Sequence, residues 1–196
     1  SNSATASLSA AQAQKDITLG SGAVAKLKVS TGTDVSGLTL DSDVTEFIVT
    51  SGTLTVSTAQ ATGRVISGAG GVTVNALAAD ANLSSVSASG TVTANVADNL
   101  DYSANTNIAT VDAFVIAANK TGSFSAAQGA KTITLGSGSI AKVIAASDIS
   151  GTTLSASVTK IDVSNSATAS LSAAQAQLDI TLGSGAVAKL KVSTGT

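Results

Sequence analysis

Along this chain, short runs rich in Val, Ile, Leu and Thr alternate apolar with polar positions and are broken every few residues by Gly, Ser, Asn or Asp. Period two with that punctuation is the signature of strands, because successive side chains of a strand face opposite sides. The runs predict strands over residues 17–19, 24–29, 38–40, 44–49, 54–56, 64–66, 72–74, 92–96, 108–117, 132–135, 140–145 and 158–163. In the run 24–29, Ala25, Leu27 and Val29 share one face and Lys26 and Lys28 the other. In the run 158–163, Lys160 and Asp162 lie opposite Thr159, Ile161 and Val163. The Ala-rich stretch Ser9-Ala10-Ala11-Gln12-Ala13-Gln14 has room for one helical turn and is too short to stand as a helix.

The pattern recurs on two scales. Residues 1–33 return as residues 164–196 with one change, Lys15 becoming Leu178. Residues 123–142 match residues 7–26 at 14 of 20 positions, and a weaker echo lies at residues 56–61. Leu8 and Val56 are 48 residues apart, and Phe124 and Leu171 are 47 apart. Asp34-Val35-Ser36-Gly37-Leu38-Thr39-Leu40 has a counterpart in Asp148-Ile149-Ser150-Gly151-Thr152-Thr153-Leu154. The organisation read from this is one tandem repeat unit over residues 1–163, made of sub-repeats of about 47 residues with an insertion near residues 75–108. Residues 164–196 open the next unit. A chain that starts without Met inside a repeat reads as a cut from a longer protein.

Related strand positions, Leu19, Leu38, Val56, Val74 and Val92, recur every 18–20 residues. That is one coil of a β-solenoid, with each strand above its counterpart in the preceding coil. The fold expected is therefore all-β, a parallel β-helix-like stack of coils. The competing fold is a series of tandem β-sandwich modules, which favour longer repeats and an aromatic centre. A period of 47 is not a whole number of coils.

Composition sharpens this picture. Pro is absent, where ~5% is usual, as befits a chain that keeps its backbone N–H groups in ladders. One Tyr and three Phe leave a thin core of Val, Ile, Leu and Ala. His, Cys, Met and Trp are missing, which removes disulfides, imidazole bases and the usual transition-metal ligands. Charged residues make up 11% and the net charge is −2, so no basic footprint for nucleic acid exists. No apolar run is long enough for membrane insertion.

The candidate chemistry is correspondingly sparse. Asp98, Asn99, Asp101, Asn105 and Asn107 form the densest group of hard oxygen ligands and are the candidate calcium site, with Asp41 and Asp43 a smaller cluster. The alternative role of such residues is to close turns on the local backbone. A Ser–Lys pair through Lys26 or Lys142 is the one nucleophilic arrangement left, against solvent-facing lysines on strands. Residues 19–26, LGSGAVAK, lack the spacing of a phosphate loop, so Gly20 and Gly22 are read as turn residues. Thr53, Thr55, Thr73, Thr91 and Thr93 invite an ice-binding Thr face, although Thr also simply suits an exposed strand. No catalytic residue and no cofactor other than calcium is indicated.

The motifs SAAQA, ITLGSG, DISGTTL and GTVTA together resemble the β-strand-repeat regions of large secreted surface proteins of Gram-negative bacteria, which include adhesin-like, surface-layer-like and matrix proteins. The resemblance covers the whole chain and is one of pattern. It implies an extracellular or cell-surface location and a structural or adhesive role. The glycine-rich calcium-binding nonapeptide of one such group is absent; Gly68-Ala69-Gly70-Gly71-Val72 lacks its Asp. The expected function is a structural segment that self-assembles, end to end or laterally, into an extracellular fibre, sheath or surface layer. The alternative is the non-catalytic stalk of an adhesin whose binding domain lies elsewhere.

Overall fold

The computed structural model describes residues 4–192. It is nearly all β and consists of parallel stacked coils, about ten turns of a β-solenoid in all. The strand pairings within each of the two compact units described below are parallel, which rules out the sandwich alternative. Paired residues lie between 17 (Ala141 and Val158) and 22 (Leu100 and Gly122) positions apart, so one coil takes about the 18–20 residues expected from the sequence.

Two compact units are present: Ser1–Asn95 with Asn107–Asp112, and Val96–Thr106 with Ala113–Thr196. In the first, one sheet stacks Thr5–Leu8, Val24–Val29, Val44–Val49, Val65–Gly68 and Val86–Ala88 in that order. The other side of each coil supplies Thr33–Asp34, Thr53–Ser57, Gly71–Asn75 and Val92–Val96. In the second unit, Leu100–Asp101, Thr121–Phe124, Ile140–Ala145, Val158–Val163 and Asp179–Leu182 form one sheet. Alternating with them are two parallel pairs, Ala113–Ile116 with Thr132–Leu135 and Thr168–Leu171 with Val187–Leu190. Coils with two strand sides explain the 47-residue period. It equals about two and a half turns, so the repeated motif passes from one side to the other. Leu8 and Val56 lie in different sheets of the first unit, and Phe124 and Leu171 in different sheets of the second.

The inner rows form the core. Ala25, Leu27 and Val29 are buried as read from the sequence, stacked on Val44, Phe47 and Val49. In Val158–Val163 one expectation fails: Thr159 is exposed and Val158 is buried instead. The register jumps there, from Ala141 opposite Val158 to Lys142 opposite Lys160, so Thr159 is the extra residue of a β-bulge. Thr45 is bulged in the same way between Val44 and Glu46. The few aromatic rings are concentrated. Tyr102, Phe114 and Phe124 are buried together, with Tyr102 stacked on Phe124 at 5.8 Å between centroids. A Cβ on Gly122 would lie 2.7 Å from the Phe124 ring.

Coil corners of the first unit carry a column of glycines. A Cβ on Gly52, whose φ is +70°, would fall 2.6 Å from the Gly32 nitrogen, and one on Gly90 would fall 2.6 Å from the Gly70 carbonyl. Only backbone fits between successive corners there.

The Ala-rich stretch forms a single helical turn in each copy, at Gln12–Gln14, Thr58–Ala61, Ala126–Gly129 and Gln175–Gln177. Its stability comes from outside the turn. Ser57 and Ser125 cap their turns reciprocally with Gln60 and Gln128. The Gln then reaches into the preceding coil. Gln60 Nε2 donates to the Val35 and Leu38 carbonyls at 2.7 and 2.8 Å. Gln128 Nε2 donates to Tyr102 and Asn105 at 3.0 and 2.8 Å, and Gln175 Nε2 to Ile149 and Thr152 at 2.8 Å each. These bonds hold residues 35–38 as a turn, which is why the strand expected at residues 38–40 does not form. Likewise the run 108–117 is strand only over Ala113–Ile116.

Removing the Gln128 amide takes one hydrogen bond each from the Tyr102 carbonyl, which keeps the Asn105 N–H, and from the Asn105 carbonyl, together with the reciprocal cap of its own turn; each loss is worth ~1 kcal/mol. Gln128→Ala is therefore expected to lower unfolding stability by about 2–4 kcal/mol in urea melts. Gln12→Ala, at an exposed turn, is expected to cost under about 1 kcal/mol, the worth of its local cap.

Candidate functional site

The residues of the candidate calcium group have separate local partners. Asp98 Oδ1 pairs with Lys120 Nζ at 3.1 Å. Asn99 Oδ1 accepts the Thr121 N–H at 2.7 Å, and Asp101 Oδ1 accepts the Ser103 N–H at 2.8 Å. The Asn105 carbonyl is one of the two that Gln128 bridges. Asn107 belongs to the other compact unit, where its carbonyl accepts the Leu83 N–H at 3.0 Å. Calcium asks for six to eight converging oxygens. Among the described residues no cluster of three or more acidic, His or Cys side chains is placed to hold a metal ion. Asp41 stitches two loops instead, accepting from Ile17 N at 3.2 Å and Asp43 N at 2.9 Å.

Asp101 is one member of a series. Asp34 and Asp148 each accept the N–H and hydroxyl of the Ser two positions on, and Asn82 does the same with Ser84. These Asx turns round the coil corners. The two Ser36 bonds hold the Asp34 carboxyl below its ordinary range. Asp148 is lowered further, first by the Lys191 ammonium at 2.8 Å and then by Ser150.

Outward strand positions carry ion pairs that run from coil to coil. Lys26 pairs with Glu46 and Lys142 with Asp162, both at 2.6 Å, and Lys160 with Asp179 at 2.7 Å. The last pair raises the Lys160 ammonium above its usual range, chiefly through the Asp179 hydrogen bond. Lys142 stands directly opposite Lys160, and each turns to a carboxylate rather than to its neighbour. The two lysines considered as partners for a nucleophilic Ser are thus engaged by carboxylates. Such pairs are worth little singly, but they fix which residues face out.

The Thr positions narrow to one column. Thr55, Thr73 and Thr93 stack in register on successive coils, while Thr53 lies opposite Gly71. Beside them Asn95 Nδ2 donates to Asn75 Oδ1 at 2.7 Å, and Asn75 Nδ2 to Ser36 at 3.2 Å. Tyr102 is fully buried; burial, assisted by the Asp98 charge, pushes its phenol well above the usual range, so it stays neutral.

What the sequence reading missed is the difference in burial between the two near-identical segments. Leu27 and Val29 are 0% and 2% exposed, whereas Leu190 and Val192, the same residues of the second copy, are 55% and 72% exposed. Leu190 and Val192 line an open groove of about 860 Å³ with Asp148, Ser150 and Lys191. Leu178 is half-buried and lines a cleft with Leu154 and Val158, while Lys15 is exposed. The signal was present as identity between positions 27 and 190, but only neighbours decide burial. No helix of the described residues is long and apolar enough to cross a membrane.

The Asp148 carboxyl is expected to titrate below the ordinary 3.8 by carbon-detected NMR, and Lys191→Met to raise its midpoint only part of the way back, because Ser150 still donates. A carboxyl lowered by folding favours the folded state above about pH 4, and that contribution fades as pH falls below it. An unshifted midpoint would contradict the pairing. No family model, no curated protein and no solved structure matches this chain.

Proposed function

We propose that this chain is a non-catalytic structural segment of a long secreted repeat protein that self-assembles into an extracellular fibre, sheath or surface layer. One observation carries the reading. Both copies of the repeated segment are coils of the stack with identical pairing. Thr5, Ala6, Ser7 and Leu8 lie opposite Val24, Ala25, Lys26 and Leu27, and residues 168–171 lie opposite residues 187–190 in the same register. A repeat unit is therefore a run of coils, and adding units adds coils. Stability then grows along the stack, because each coil buries its Val, Ile and Leu row against the next at ~1.5–3 kcal/mol per large side chain. The absence of His and Cys, and the engagement of Lys26 and Lys142 by carboxylates, support a role without catalysis.

Electron microscopy of the purified chain is expected to show ordered filaments or sheets. Isolated particles at every concentration would favour the adhesin stalk. Chelation of calcium is expected to leave the assemblies intact, given the local duties of Asp98, Asn99 and Asp101. Dissolution by chelator would restore a calcium role to that group.

A further inference from the structure

The corner between the strands Gly71–Asn75 and Val86–Ala88 carries Asp80-Ala81-Asn82-Leu83-Ser84. Asn82-Leu83-Ser84 is an Asn-x-Ser sequence without Pro, the pattern that accepts a sugar on the Asn amide. Coils lie on both sides of it: the Gly63 N–H donates to the Asn82 carbonyl at 3.3 Å, and the Leu83 N–H to the Asn107 carbonyl at 3.0 Å. Its exposure is therefore that of a coil inside the stack. Ala81 and Leu83 are 2% and 0% exposed and anchor the corner, while Asp80 and Ser84 are exposed and Asn82 is half-buried. Asn82 Oδ1 accepts the Ser84 N–H at 3.1 Å and its hydroxyl at 2.7 Å. A backbone N–H can only donate, so the oxygen is fixed there. The amide nitrogen, Nδ2, donates to no group among the described residues. Open space adjoins it, since a Cβ on Gly63 would meet nothing within 4 Å. Asp34, Asp101 and Asp148 round their corners with a carboxylate bonded to the Ser two positions on, so the turn itself does not require an amide.

We propose that Asn82 is a glycosylation site, modified by a transferase that uses a sugar activated at its anomeric carbon by a diphosphate. Asn82 Nδ2 supplies the electron pair for the new bond to the anomeric carbon. The bond from that carbon to the diphosphate oxygen breaks, the diphosphate leaves with its pair, and Nδ2 gives up one proton to the transferase. The Ser84 hydroxyl, exposed beside the acceptor, is the group the transferase reads, and the Asp80 carboxylate is a second handle for a cation. The attached sugar projects from the side of the stack and leaves the buried anchors Ala81 and Leu83 in place. This rests on the secreted role proposed above. The chain's other Asn-x-Thr sequence, Asn119-Lys120-Thr121, is held differently. It runs into the strand Thr121–Phe124, where Thr121 pairs with Ile140 and gives its N–H to Asn99 Oδ1. Its hydroxyl residue is thus tied into a ladder, and Ala117 stands where the first sequence has Asp80. The structure therefore favours Asn82 over Asn119 as the acceptor.

The test uses the protein isolated from the cells that make it. Cleavage before aspartates separates Asn82, in residues 80–97, from Asn119, in residues 112–147. Mass spectrometry with fragmentation that keeps the sugar attached is expected to find whole sugar masses on Asn82 in most chains. A single hexose would identify a nucleoside-diphosphate donor, and a block of several sugars a polyprenyl-diphosphate donor. Asn82→Gln and Ser84→Ala are expected to remove the addition and Ser84→Thr to keep it, with the circular dichroism of all three unchanged. An addition on Asn119 in place of Asn82 would overturn the proposal. So would an unmodified Asn82 in chains that form filaments, which would leave self-assembly standing. A sugar on Asn82 of chains that stay monomeric at every concentration would support the acceptor and overturn self-assembly.

Discussion

Each coil of this chain is completed by its neighbour, and the rest of the structure follows from that dependence. A parallel strand leaves its backbone groups and its inner row of Val, Ile and Leu unsatisfied until another strand lies about 4.8 Å away. The Gln of the Ser-x-x-Gln turn applies the same rule to the corners, where no ladder runs. Its amide caps its own turn and then spans to two carbonyls of the coil below, as at Gln60, Gln128 and Gln175. A one-turn helix that would be marginal alone becomes a fixed joint between coils.

This dependence accounts for the composition. Small corners are needed at Gly52, Gly70 and Gly90, where a Cβ would fall on the backbone of the preceding corner. Pro would leave a gap in the ladder. Charge is sparse and outward, and where two lysines meet in register, as at Lys142 and Lys160, each is drawn to a carboxylate one coil away. Asp and Asn, the residues with the look of a metal site, are largely taken up in rounding corners and receiving backbone N–H groups.

The half-turn offset of the repeat has a consequence for surfaces. Because about 47 residues carry the motif to the other side of the coil, Leu8 and Val56, or Phe124 and Leu171, present similar side chains in different sheets. A regular row of one residue type down a single side is thereby broken, which is why the Thr column is short. It also means that a coil's lower and upper faces are drawn from diverged copies, so a coil is matched to particular neighbours rather than to any coil.

The sequence by itself determined the fold class, the coil length and the inward row Ala25, Leu27, Val29, because period-two patterning and punctuation are local properties of a strand. It also held the strands at 24–29, 44–49, 92–96, 132–135, 140–145 and 158–163 to the residue. The bulges at Thr45 and Thr159 were not legible, since an extra residue shows only against a partner strand. Nor was the difference between near-identical segments. Ile17-Thr18-Leu19 is irregular while Ile180-Thr181-Leu182 is strand, because only the latter has residues 161–163 beside it. Leu27 is core and Leu190 is surface for the same reason. Local pattern says which side of a strand is apolar; whether that side is covered belongs to the neighbouring coil, and only the tertiary structure decided it.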